Sequence, residues 1–184
     1  MNIWYIHGAG GSERSFVWLR AQLPKHTAHF FTYPVTQSVS TIVDRCLEAI
    51  GNQRVILIGH SLGGIIATAC ARFATVSKLV TLCAPFGGVT HANLMAFFRC
   101  DPLIHDLRTY SRVLADIRAA HLPMPHLSLV GTHGLPFHSE SNDGVLTVAS
   151  QTALQGPQYK QLPINHFEML LSDDVASLIS DFIR

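Results

Sequence analysis

Charge is scarce in this chain. Only 14% of its 184 residues are Asp, Glu, Lys or Arg, the formal net charge is +1 with His neutral, and no basic run stands out. A nucleic acid therefore has no electrostatic footprint to bind. Long apolar runs are also missing: none approaches the roughly 18 residues of a membrane span. No leader-like segment precedes the first strand-like run, "IWYIH" (3–7), so the sequence predicts a soluble, cytoplasmic protein without stable membrane insertion. Cysteine is sparse, with Cys46, Cys70, Cys83 and Cys100 in no CxxC or other metal-ligand spacing. Cys46, Cys70 and Cys83 lie among apolar residues, as small buried side chains do, and a disulfide framework is not expected.

Histidine, by contrast, is plentiful, with eleven scattered along the chain. His121, His126, His133 and His138 match no standard metal motif, and neither a metal nor an organic cofactor is expected. At 48% hydrophobic the chain suits one compact domain over 1–184, large enough to bury most of its unfolded surface.

Apolar runs of strand length alternate with amphipathic segments. "IWYIH" is followed by the helical spacing of "SERSFVWLRAQL" (12–23), then by the strand-like "HFFTY" (29–33). "SVSTIVDRCLEAIG" has a serine at its N-terminal cap, apolar residues at helical spacing and Gly51 past its end. "VILIG" (55–59), "LVTLC" (79–83) and "LSLVG" (127–131) are continuous apolar runs, as strands covered on both faces are. "QYKQL" (158–162) and "DDVASLISDFI" close the chain with a strand and a helix. The pattern predicts a three-layer α/β/α sandwich around a mostly parallel six-stranded sheet. Residues 86–125 lack strand character and are expected to form a helical, cap-like insertion with helices in "HANLMAFFR" and "TYSRVLADIRAAH". Functional residues in such a fold gather at the carboxyl ends of the strands.

Gly59-His60-Ser61-Leu62-Gly63 lies at one such end. It follows "VILIG" and precedes the helix-like "LGGIIATACARFA", so it reads as G-x-S-x-G in a strand–turn–helix setting. Small residues are needed where a strained serine is crowded against a sharp turn. The turn holds the hydroxyl clear and aims the next backbone N–H, at a helix N-terminus, toward developing negative charge. A serine nucleophile needs a base and an acid to orient it, which in this fold follow later in the chain. Asp143, in "SNDGVLTVAS", is the expected acid, with Glu140 in reserve. His166, in "PINHFEML" after the last strand, is the expected base. The glycine-rich "IHGAGGS" lets the chain turn beneath the serine and sets the N–H of Ala9 beside that of Leu62 as an oxyanion hole. It lacks both G-x-G-x-x-G and the P-loop Lys, against a nucleotide-binding role. His7 is expected to brace this loop, and His60 to be structural and to point away from the cleft.

"IHGAGG", "GHSLGG", the Asp of "NDGVLTV" and the His of "NHFEML" resemble, in order and position, the landmarks of the α/β-hydrolase superfamily. "VTLCAPFGG" and "IHDLRTYSRVLADI" are similar to segments of its small lipase-like and esterase-like members. Two opening strands common in the family are missing, and the cap is reduced to 86–125. The resemblance implies a serine hydrolase of carboxylic esters, working through an acyl-enzyme on a small-molecule or acyl-chain substrate. The same residues would serve an acyl-thioesterase or an acyl-carrier methyl esterase. A third reading is a binding protein on the same fold. Leu94, Phe97, Phe98 and Leu103 are candidates to line an acyl pocket, although packing on the sheet is the competing role. The sequence carries no signal of oligomeric state.

Overall fold

The computed structural model describes residues 1–89, 105–134 and 140–184. In chain order these form β1 (Asn2–Ile6), a 3-10 turn (Glu13–Phe16), α1 (Val17–Gln22), β2 (Thr27–Phe31), α2 (Val39–Ile50), β3 (Val55–His60), α3 (Leu62–Cys70) and β4 (Val76–Leu82). They continue with α4 (Arg112–Ala119), β5 (His126–Gly131), α5 (Val148–Gln151), β6 (Gln158–Leu162), a second 3-10 turn (Glu168–Leu170) and α6 (Asp173–Ile183).

Six strands join in the order β2-β1-β3-β4-β5-β6, every neighbouring pair parallel. The alternation of side chains along each strand divides the core in two. Trp4 and Ile6 of β1 and Val55 and Leu57 of β3 face α2 and α3, with Ile42, Cys46, Ile65 and Ile66 packed on them. Ile3, Tyr5, Ile56 and Ile58 face the other way, against Phe16 and Leu19 and the α6 residues Val175 and Ile179. Both faces of β3 are thus covered, which is why its sequence is apolar without a break.

The order of strands also locates a crevice. The chain leaves β1 toward β2 on one side, and β3 pairs with β1 on the other, so the loops after β1 and β3 diverge. Their ends are level: Ile6 pairs with Gly59, and Gly59 with Thr81.

Some boundaries differ from the expected ones. β2 lies two residues earlier than "HFFTY", because β1 ends at Ile6, whose register partner is Phe31. Beyond that pair Tyr33 leaves the sheet and its hydroxyl donates to the His7 carbonyl at 2.5 Å. Cys83 is excluded from β4 by a positive φ of 47°. In the insertion, the expected helix over 109–121 is Arg112–Ala119, capped by Ser111. The expected helix in "HANLMAFFR" lies outside the described residues. Cys46, Cys70 and Cys83 are buried free thiols. Among the described residues no helix is long and apolar enough to cross a membrane.

Candidate active site

Ser61 occupies the N-cap position of α3, a place where a serine ordinarily bonds the backbone of the next turn. Ser38, Ser111 and Thr147 do so at the starts of α2, α4 and α5, each with extended backbone angles. Ser61 does not: its φ of 54° and ψ of −122° turn the side chain away, and the hydroxyl makes no cap hydrogen bond. A non-glycine residue in this region stores about 1–3 kcal/mol of strain. The surroundings hold it there. The Ser61 N–H donates to Leu82 O on β4 at 2.8 Å, and Gly64 N–H donates to Ser61 O at 2.9 Å.

Two glycines make the turn sterically feasible. A Cβ on Gly59 would overlap the Gly63 carbonyl, and one on Gly63 would overlap the carbonyls of Ile6 and His7. The first turn of α3 is therefore pressed directly on the backbone ends of β1 and β3.

His166 sits in the loop after β6. Its Nδ1–H donates to Asp143 Oδ2 at 2.7 Å, and both side chains are buried. A second bond, from His166 N–H to the Asp143 carbonyl at 2.9 Å, ties the two loops by backbone. The other carboxylate oxygen, Oδ1, accepts from Val145 N–H at 2.9 Å and Leu146 N–H at 2.6 Å. Burial pushes the Asp143 carboxyl up, but the bonds from His166 and the two amides outweigh it and hold it below its ordinary value. Asp143 thus remains an anion, and its carboxylate accepts a side-chain hydrogen bond from His166. Glu140, the reserve acid, is exposed, and its carbonyl rather than its carboxylate accepts from Asn142.

Ser61 and His166 border one cavity of about 220 Å³, together with Gly8, Ala9, Gly10, Gly11 and Leu62. Among the described residues neither the N–H of Ala9 nor that of Leu62 has an acceptor within the chain. Chemically this is a hydroxyl free of capping duty, an imidazole polarised by a buried carboxylate, and two backbone N–H groups without an acceptor among the described residues, all bordering one space.

A family model described as the alpha/beta hydrolase family matches residues 5–163. The chain belongs to the alpha/beta hydrolase family. No curated protein sequence matches it at a significant level. Among solved structures it is similar to a lipase-esterase related protein from Clostridium acetobutylicum, with a TM-score of 0.71 at 15% identity, covering 98% of this chain and 93% of that one. It is also similar to the lipase BlEst2 of Bacillus licheniformis, with a TM-score of 0.73 at 17% identity and coverage of 99% and 91%. Phospholipase PlaB of Legionella pneumophila gives a TM-score of 0.77 at 16% identity, but this chain spans only 58% of that protein.

Within this hydrolase fold, Pro85, Val89, Leu107, Val145 and Leu146 give the cavity an apolar wall, with Ser15 and His60 among its other lining residues. Val89 and Leu107, both within the insertion, are brought together by a bond from Val89 N–H to Leu107 O at 3.0 Å. The expected pocket residues Leu94, Phe97, Phe98 and Leu103 lie outside the described residues. Leu114, on α4, packs in the core.

Two histidines near the site differ in outcome. His7 braces the glycine loop as expected: its Nδ1–H donates to Gly8 O at 2.7 Å, and its ring stacks on Tyr33 at 4.4 Å. His60 does not turn away from the cleft but borders the cavity. Its Nε2–H donates to the His166 carbonyl at 2.9 Å. Burial, then the neighbouring His166, pulls its pKa down to about 3, so the ring is neutral. A lone histidine between glycine and serine offers no pattern from which this partner, 106 residues away, could be read. Of the four histidines considered as metal ligands, His126 is spent inside β5 on Thr81 Oγ1 at 2.9 Å, and His138 lies outside the described residues.

Proposed function

We propose that this hydrolase cleaves carboxylic esters with Ser61 as nucleophile, His166 as base and Asp143 as the acid that orients it. The observation that carries the reading is the buried Nδ1–Oδ2 hydrogen bond of His166 and Asp143 beside a serine whose hydroxyl is released from capping. Ser61 Oγ attacks the ester carbonyl while His166 Nε2 takes its proton. The carbonyl oxygen becomes an anion and accepts from the N–H groups of Ala9 and Leu62, each such donor contributing about 3 kcal/mol in the transition state. The carbon–alkoxy bond then breaks, and His166 returns the proton to the departing alcohol. Water adds to the acyl-serine by the same route and releases the acid. Asp143 stabilises the imidazolium formed on the way and does not itself take the proton.

In this reading Val89 and Leu107, both within 86–125, border the acyl side of the cavity. The apolar wall favours an uncharged acyl group. A fluorophosphonate probe, followed by mass mapping, tests the assignment. Label on Ser61 that disappears in His166→Ala is the expected result. A folded protein that takes no label would remove the serine mechanism and leave a binding role. Matched ester and thioester panels on labelled-competent protein then separate esterase from thioesterase.

A further inference from the structure

Cys83 is held in a conformation that costs free energy and that a glycine would adopt freely. It is the first residue after β4, with φ at 47°, and only Ser61 shares a positive φ among the described non-glycine residues. Its backbone is fixed by the bond from Cys83 N–H to Leu129 O at 2.9 Å. The side chain is completely buried. Its Sγ, a carboxylate oxygen of Asp143 and a ring nitrogen of His166 all lie within 4.8 Å of one another.

The packing around this thiol is close. A Cβ on Gly131, at the end of β5, would stand 2.8 Å from Asp143 Cβ and 3.3 Å from Cys83 Sγ. Gly131 is in turn clamped by Gln151, which accepts from its N–H at 3.0 Å and donates to its carbonyl at 3.1 Å. The sulfur therefore fills a fixed space beside the carboxylate rather than a loose one.

The chemistry suits a donor. The Asp143 carboxylate offers about four lone-pair sites, and three are occupied, by His166, Val145 and Leu146. Burial first, and then the Asp143 charge beside it, hold the Cys83 thiol well above its ordinary range. It stays S–H, which is a weak donor and no rival to His166 as a base. A metal ion is not favoured between these groups. Zinc at about 2.0–2.2 Å from each ligand keeps ligand atoms roughly 3 Å or more apart, whereas Nδ1 and Oδ2 are at 2.7 Å with a proton between them.

We propose that Cys83 is a positioning residue for Asp143: its buried thiol packs against the carboxylate, directs S–H toward it, and so limits how strongly Asp143 draws on His166. The role rests on the catalytic reading for its importance but not for its measurement. Withdrawing the thiol leaves more negative charge free on Asp143, which stabilises imidazolium, so the His166 pKa rises.

The experiment is an NMR titration of His166 in wild type and in Cys83→Ala, Cys83→Gly and Cys83→Ser, with the downfield Nδ1–H resonance followed as a second signal. Cys83→Ala and Cys83→Gly are expected to raise the His166 pKa by about half a pH unit and to shift the Nδ1–H resonance. Cys83→Ser keeps a donor, a stronger one than the thiol, and is expected to hold the His166 titration at or below that of wild type. Glycine is compatible with the positive φ, so Cys83→Gly folds even if Cys83→Ala is impaired. An unchanged titration and resonance in Cys83→Gly would overturn the proposal, as would a Cys83→Ser titration raised as far as that of Cys83→Gly. Failure of Ser61 to take a fluorophosphonate would instead count against the catalytic reading, and the His166 titration would still report on Cys83.

Discussion

His166 and Asp143 are joined twice, by a side-chain hydrogen bond of 2.7 Å and by a backbone bond of 2.9 Å from His166 N–H to the Asp143 carbonyl. The second bond fixes the two Cα positions, so the first survives substitutions that alter only charge. Asp143→Asn should therefore fold normally and lose activity by about 10⁴-fold in kcat, as the wrong tautomer of His166 is favoured. Glu140→Gln, on the same loop but exposed, should stay within about twofold of wild type. Steady-state kinetics on any ester that the wild type turns over decides between them, and equal losses in both would remove Asp143 from its role.

Ser61 should show the opposite signs in stability and activity. Ser61→Gly relieves the positive φ and should raise stability by about 1 kcal/mol after the entropy of the extra glycine is subtracted. It should also abolish turnover. Urea unfolding of the two proteins measures the first effect; a loss of stability would show that the turn is not strained.

The glycines of the elbow can be tested by compensation. A Cβ on Gly64 would lie 2.6 Å from Ala84 Cβ, so Gly64→Ala should cost about 1–3 kcal/mol through overpacking. Ala84→Gly in the same molecule should return most of that loss. A double-mutant cycle with no coupling would mean that the clash is relieved elsewhere.

Stability should fall as the solution is made acid. Burial, with the adjacent His166, depresses His60 to about 3, and burial alone depresses His126 to about 3. Below the unfolded value of about 6.5 the unfolded chain takes up protons that the native rings refuse. The native advantage is complete above that pH and is lost progressively down to about pH 3. Each ring should contribute a loss of about 1 kcal/mol per pH unit through that window. Denaturant titrations at pH 7, 6 and 5 give the slope, and His126→Gln should flatten it. An identical slope in that variant would show that His126 protonates without unfolding.

Strands buried on both faces were legible because nothing interrupts their apolar runs. "VILIG" (55–59) differs from β3 (Val55–His60) by one residue, and "LSLVG" (127–131) differs from β5 (His126–Gly131) by one. β2 lies earlier than "HFFTY" because nothing within that run marks a strand end, whereas the end is set by the length of β1, a partner that local pattern does not contain. α5 was not anticipated, since four residues carry no period; yet its Gln151 pins both the end of β5 and, through Leu146 O at 3.4 Å, the Asp143 loop. The G-x-S-x-G spacing located the turn at Ser61, and chain order drew attention to Asp143 and His166. Cys83 was read only as a small buried residue. Its positive φ and its place beside Asp143 arise from the meeting of β4, β5 and the Asp143 loop, which no short window of sequence encloses.

The bond from His60 to the His166 carbonyl joins residues 106 positions apart. The serine turn itself is held by β1, β3 and β4, through the Ser61 N–H bond to Leu82 O and the close approach of Gly63 to the Ile6 and His7 carbonyls. On the proposed reading, the elbow and its base are thus supplied by separate parts of the chain. On the proposed catalytic reading, a fluorophosphonate signal would therefore report the docking of the His166 loop onto the elbow rather than the formation of the elbow itself.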